Sequence, residues 1–197
     1  MRYNSEHRQE TRARVLKEAA REIRAKGPTG IGVAGIMARA GLTHGGFYAH
    51  FGSKDELVAE AIGAMFDDAR GRFDRSQAER APGAALAAYV DFYLSVGHRD
   101  ARDRGCPLPA LSSDLPRMEP ASRERFGTGV ARLTAWMAEA LDQHGVADAS
   151  AAASAMLSQM VGALSLARAV LDPAQSDAIL GTTRDDLKRR YGLENAA

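Results

Sequence analysis

At 197 residues the chain can bury a sizeable core, and a content of 45% hydrophobic and 26% charged residues excludes disordered and fibrous classes. A single cysteine rules out an internal disulfide and fits the cytoplasm; the polar N-terminus lacks the apolar centre of a signal peptide, and no apolar run is expected to cross a bilayer. The net charge of +1 conceals an asymmetry: residues 1–54 hold ten Lys/Arg against four Asp/Glu, net +6, and residues 55–197 hold sixteen against twenty-one, net −5. Only the first quarter carries charge suited to nucleic acid.

Alanine-rich runs, few β-branched clusters and long 3.6-residue periodicities predict an all-α chain of about nine helices. The first runs from about Ser5 to Lys26, with Val15, Leu16, Ala19, Ala20 and Ile23 on one face and arginines around the rest. Gly27 and Pro28 end it, residues 1–7 form a mobile tail, and Arg2 and Arg8 can reach a phosphate or a minor groove. A second helix spans about Val33 to Ala40, Gly41 reverses the chain, and a third spans about Thr43 to His50 with Thr43 as its cap. Two short helices around a tight turn suggest a helix-turn-helix, which lays its second helix in the DNA major groove.

A fourth helix starts at Ser53, which forms a capping box with Glu56, and continues past Arg75 with Leu57, Val58, Ala61, Ile62, Met65, Phe66 and Phe73 as its stripe. Pro82 opens a fifth, with Leu86, Tyr89, Val90, Tyr93 and Val96 on its apolar face. A short helix near Pro109 to Leu115 follows Cys106, then long helices cover about 121–144, 149–171 and 173–191. Asp148 is placed to cap the second of these, which is apolar nearly all round and must be buried from two sides.

The ordered set Thr11-Arg12, Val15-Leu16, Ala19, Ile36, Ala40-Gly41-Leu42-Thr43, Gly45-Gly46-Phe47-Tyr48, His50-Phe51 and Ser53-Lys54-Asp55-Glu56-Leu57 resembles the DNA-binding domain of the TetR family of bacterial transcriptional regulators. The match covers roughly residues 10–57. It implies a helix-turn-helix domain at 1–57 and a helical ligand-binding and dimerisation domain at 58–197. Two positions depart from the pattern: Gly32 stands where a capping Ser or Thr is usual, and Met37 replaces a small Ala where helices two and three approach.

The implied function is a repressor that binds a palindromic operator as a homodimer and is released by a small apolar or electrophilic effector. An activator of the same fold, or a helical carrier or enzyme, stays open. The expected DNA contacts are Thr43, His44, Gly45, Gly46, Tyr48, His50 and Lys54: caps and cations for phosphates, imidazole for base edges, and glycines for close backbone approach. The expected ligand pocket is Phe66, Tyr89, Phe92, Tyr93, Cys106, Met118, Phe126, Trp136 and Met137, with Cys106 a candidate thiol sensor. The expected dimer interface is Met156, Met160, Ala163, Leu164, Ala167, Leu180 and Leu187, packed as a four-helix bundle. No metal spacing, cofactor motif or catalytic set is visible, so an enzyme is not expected.

Overall fold

Apolar stripes at helical spacing leave this chain one way to bury itself, helix on helix. The computed structural model describes residues 2–77 and 80–194, and among them every regular element is a helix. The α-helices are α1 (Arg2–Lys26), α2 (Val33–Arg39), α3 (Lys54–Gln77), α4 (Pro82–Tyr93), α5 (Val96–Asp100), α6 (Pro107–Leu111), α7 (Pro120–Gln143), α8 (Ala149–Ala169) and α9 (Pro173–Arg190). Shorter 3₁₀ turns lie at His44–Ala49, Arg102–Arg104 and Leu115–Arg117.

α1 packs on α3, α3 on α7, and α7, α8 and α9 on one another in turn; α4 fills the space between α3, α7 and α9. One continuous core runs from Val15, Ile36 and Phe47 through Ile62 and Met65 to Leu133, Met156 and Leu187. α3 passes through residue 57 without a break, so the N-terminal part and the body share a helix. The Ser53 hydroxyl accepts from the Glu56 N–H at 3.0 Å, while the Glu56 carboxylate reaches one residue further back than a capping box requires, to the Gly52 N–H at 2.7 Å.

Several expectations need correction. α1 begins at Arg2, so residues from there to 7 are helical; Met1, and with it the start of the expected tail, lies outside the described residues, as does the Arg2 side chain. Asp148 makes no side-chain cap, because its backbone is left-handed, with φ +50°. α8 is, by length and composition alone, apolar enough to cross a membrane, contrary to the reading of the sequence. Its alanines and leucines instead pack against α7 and α9 on one side.

The seven residues expected at a dimer interface are core residues of the single chain. Met156, Met160, Ala163, Leu164, Ala167, Leu180 and Leu187 are all buried between α7, α8 and α9. The face of α8 left open is a different one, with Ala155, Ser158 and Leu166 exposed and Gly162 half-buried. The largest apolar side chains point inward for cohesion, leaving small ones on the outside.

Three arginines lash the lower helices together. Arg168 donates to the Arg99 and His98 carbonyls at 3.1 and 2.9 Å, satisfying the open end of α5. Arg102 does the same for the Arg168 carbonyl near the end of α8 at 3.0 Å. Arg99 reaches α9, donating to Ser176 Oγ at 2.8 Å and Asp177 at 2.6 Å.

His98 is buried at the centre of this region, stacked on Phe92 at 5.1 Å and edge-on to Tyr93 at 4.9 Å. Its Nε2 accepts from the Cys106 N–H at 3.0 Å, so Nδ1 carries the hydrogen and donates to the Tyr93 carbonyl at 2.8 Å. Burial lowers its pKa from 6.5 to about 4, helped by the nearby Arg168 and Arg72. Between those pH values the unfolded chain takes up a proton that the folded chain refuses. Stability from this group is therefore complete above pH 6.5 and lost as the pH falls towards 4.

Between α3 and α7 the aromatics interlock. Trp136 stacks on Phe73 at 4.3 Å and carries the Arg70 guanidinium over its other face at 4.2 Å. Phe66 meets Phe126 edge-on at 5.5 Å and lies directly on the backbone of Gly129, where an added Cβ would stand 2.2 Å from a ring carbon. Gly129 lets α3 and α7 close to this distance.

Two outcomes follow from this packing. On urea unfolding, the wild type should lose about 2 kcal/mol more than His98→Gln between pH 7.5 and 4.5; parallel losses would assign the pH dependence to other groups. Gly129→Ala should cost about 1–3 kcal/mol and lower the melting temperature, since neither ring nor backbone can give way cheaply.

Candidate nucleic-acid interface

The exposed tip between α2 and α3 is built from the turn outward. α2 ends in a Schellman motif: the Leu42 N–H bonds the Met37 carbonyl at 2.9 Å and the Gly41 N–H bonds the Ala38 carbonyl at 3.0 Å. This requires a left-handed residue, and Gly41 has φ +74°. Gly32, at the other end of α2, provides no side-chain cap, as its identity implies.

The expected third α-helix is a six-residue 3₁₀ turn, His44–Ala49. Gly45-Gly46 supplies too little helix propensity to draw the chain into a full α-turn, and the bonds run i to i+3, Gly46 N–H to Thr43 and His50 N–H to Phe47. Thr43 precedes it but makes no capping bond, which corrects the expectation of a Thr43 cap. Its exposed hydroxyl is left free for an external acceptor.

Met37 is the reason a segment this short holds its place. It is fully buried beneath the turn, and its methyl carbon lies 3.8 Å from where a Cβ on Gly46 would stand. The long side chain on α2 fills the space left by the missing one on the turn, so the departure at Met37 does not separate the two elements. Phe47 completes the anchor, buried and stacked on Phe51 at 5.7 Å.

α1 clamps the turn from behind. The Arg12 guanidinium lies over the Phe51 ring at 4.7 Å, donates to the His50 carbonyl at 3.3 Å, pairs with Glu60 on α3 and stands 3.9 Å from Glu56. Arg8, expected to reach out to DNA, donates instead to the Ala49 carbonyl at 2.5 Å. Arg39 is likewise turned inward, to Glu22 at 2.5 Å. The basic excess of the first quarter is therefore partly consumed within the protein.

What the turn presents to solvent is Thr43, His44, Gly45 and Tyr48, the last with 72% of its surface open. Gly46 is half-buried over Met37. His50 is set back: half-buried beside Phe51, with a buried Nδ1 that has no hydrogen-bond partner among the described residues. Burial, then the Arg8 and Arg12 charges, hold its pKa below the usual imidazole range. Lys54, half-buried at the head of α3, lines a shallow cleft of about 220 Å³ with Asp55, Arg117 and Met118.

The nine residues expected to line a ligand pocket do not enclose one. Tyr89, Tyr93 and Met137 are buried in the core; burial pushes both phenols above their ordinary pKa. Phe92 is exposed on one edge, and Phe126 is half-buried against Phe66. Phe66 and Trp136 border a crevice of only about 10 Å³, too small for an organic ligand, and Met118 borders the shallow cleft beside Lys54. Cys106 is buried, and burial pushes its thiol up, so the thiolate that electrophile chemistry needs is scarce. The arginines that oppose this shift are Arg72 and Arg24, not the sequence neighbours Arg102 and Arg104.

A larger cleft, about 590 Å³, opens between α1 and α3 beneath the Arg102–Arg104 turn. Its lining includes Leu16, Ala20, Arg24, Ala64, Asp68 and Arg72, none of them expected. Arg24 gave the one available signal: it falls a turn after Ala20, on the apolar stripe of α1, where an apolar residue belongs.

This geometry can be set beside known proteins. The model of the bacterial regulatory proteins, tetR family, matches residues 15–61. The HTH-type transcriptional repressor Rv3405c of Mycobacterium tuberculosis is 30% identical over 111 residues, 56% of this chain and 56% of its own length. A TetR transcriptional regulator from Chloroflexus aurantiacus has the same fold, with a TM-score of 0.80 and 26% identity over 95% of this chain and 96% of that one. Residues 15–61 are of the tetR type, and the chain as a whole has the fold of a TetR transcriptional regulator.

The TetR relatives bound the comparison. The matches to curated proteins span about half the length of those relatives, as with the uncharacterised regulator YfiR of Bacillus subtilis, 26% identical over 52% of this chain and 50% of its own. The reduced form of NemR from Escherichia coli shares the TetR fold over 91% of this chain and 96% of its own, with a TM-score of 0.79, at 19% identity. These relatives are transcriptional regulators.

Single substitutions on the tip should separate affinity from preference. Tyr48→Ala and Lys54→Ala should weaken binding to every duplex, and Lys54→Ala should reduce the salt slope by about 1. His44→Ala should cost affinity for the preferred site only, by about 1–3 kcal/mol. Equilibrium anisotropy titrations on a selected and a scrambled duplex read both.

Proposed function

We propose that the protein is a ligand-responsive transcriptional repressor that binds a palindromic operator as a homodimer. Residues 1–57 are the DNA-binding part and 58–197 the ligand-binding and dimerisation part. The observation that carries this reading is the exposed His44–Tyr48 tip, clamped by Arg8 and Arg12 and joined to the body by the unbroken α3. The tip enters the major groove, with Thr43, Tyr48 and Lys54 on phosphates and His44 on base edges.

The dimer forms through the outward faces of α8 and α9. Ala155, Ser158, Gly162 and Leu166 follow one another at helical spacing on α8, beside Ala178 and Gly181 on α9. Small side chains let helices approach closely, and Leu166, 59% exposed, is the apolar knob such a seam buries. The buried Gln159 Oε1, without a partner among the described residues, would find a donor there. Two tips related by a two-fold axis read two half-sites. The protein works in the cytoplasm, on nucleoid DNA, and a small-molecule effector releases it.

The test is duplex binding by the full chain, with genomic fragments selected by pull-down, titrated between 50 and 300 mM salt. Binding should weaken steeply with salt, at a slope of about −0.9 per phosphate contacted. Sedimentation should give one dimer per palindrome, and Leu166→Arg should yield monomers that bind DNA much more weakly. A chain that ignores duplex DNA at low salt would refute the reading.

A further inference from the structure

We propose that the cleft between α1 and α3 is the effector site and that it takes a small organic anion, a carboxylate or phosphate ester carried on an apolar body. The inference deepens the regulatory reading above and rests on it. With a volume of about 590 Å³ the cleft is of ligand size. Ala13, Leu16, Ala20 and Ala64 give it an apolar wall; Lys17, Arg21, Arg24, Arg72 and Arg104 bring five cations against the single carboxylate of Asp68.

The cations are incompletely satisfied. Arg24 is more than nine-tenths buried; its Nη2 pairs with Asp68 at 3.1 Å and approaches the Met65 carbonyl at 3.4 Å, yet its Nε is buried with no partner among the described residues. Arg72 Nη2 is in the same condition. A buried guanidinium nitrogen without an acceptor costs free energy, which a neutral apolar occupant would not recover and a second cation would worsen. An anion supplies the missing acceptors, and its planar form suits the fork of an arginine. Burial also holds Arg24 below its ordinary pKa despite Asp68.

The position gives the site its leverage. α1 holds the tip through Arg8 and Arg12, and α3 carries it to the body. The ties between them across the cleft are Arg24 to Asp68 and, from α1 to the turn above, Arg21 to Asp103 at 3.0 Å. A bound anion competes for both arginines and so loosens the grip of α1 on α3 and on the turn.

Calorimetry on the full dimer tests this with benzoate, octanoate and phenyl phosphate against benzamide, octanamide and phenol. At least one anion should bind, with its uncharged counterpart ten-fold weaker or more. Arg72→Gln, which removes no hydrogen bond among the described residues, should weaken the anion ten-fold or more; if it melts early, Lys17→Gln at the mouth should still weaken it several-fold. Equal binding of neutral and charged probes, full affinity in both variants, or no anion binding at 10 mM overturns the assignment. The bound anion should raise the dissociation constant for duplex DNA by 5- to 150-fold. Anion binding that leaves DNA affinity unchanged removes the effector role. No duplex binding by the anion-free protein would instead overturn the regulatory reading, and the effector role with it.

Discussion

The seating of α1 on α3 is the contact on which the rest depends. Arg12 touches four things at once: the Phe51 ring, the His50 carbonyl, Glu56 and Glu60. Each is weak alone at a half-open site. Together they hold a six-residue turn that has too few bonds of its own to be stable. Met37 and Phe47 supply the burial beneath it, and the same α1–α3 seam continues downward to Arg24 and Asp68. Reading tip, hinge and cleft are therefore one packed assembly.

What the sequence made legible was whatever depends on local spacing. The helices and most of their ends could be read from apolar periodicity, from Gly27, Gly41 and Gly145, and from prolines at 82, 120 and 173. The tip could be read because its motif is dense: Thr43, His44, Gly45 and Tyr48 are exposed where the reading placed them. The misreading at Gly45-Gly46 was one of degree, since two glycines tip a short segment from α to 3₁₀ bonding.

What stayed illegible depends on which helices meet. Arg12 and Glu60 are 48 residues apart, Arg24 and Asp68 44 apart, and nothing local announces either pair. Periodicity shows that Met156 and Leu187 are buried but not whether by their own chain or by a second one. In the same way, Phe66, Phe126 and Trp136 look like a pocket in one dimension and form a filled core in three, because Gly129 lets α7 close on α3.

The unbroken α3 has a mechanical consequence. At 24 residues it is about 36 Å long, stiff, and pinned by aromatic packing at its lower half. It is therefore a lever with its fulcrum at Phe66 and Phe73. A tilt of roughly 5° about that fulcrum swings its free end by about 2 Å over a radius of about 20 Å. In a two-fold assembly both ends move, so the separation of the tips changes by several ångströms. Half-sites one turn apart on a duplex lie near 34 Å, so in the dimer proposed above a mismatch of that size unseats both tips together.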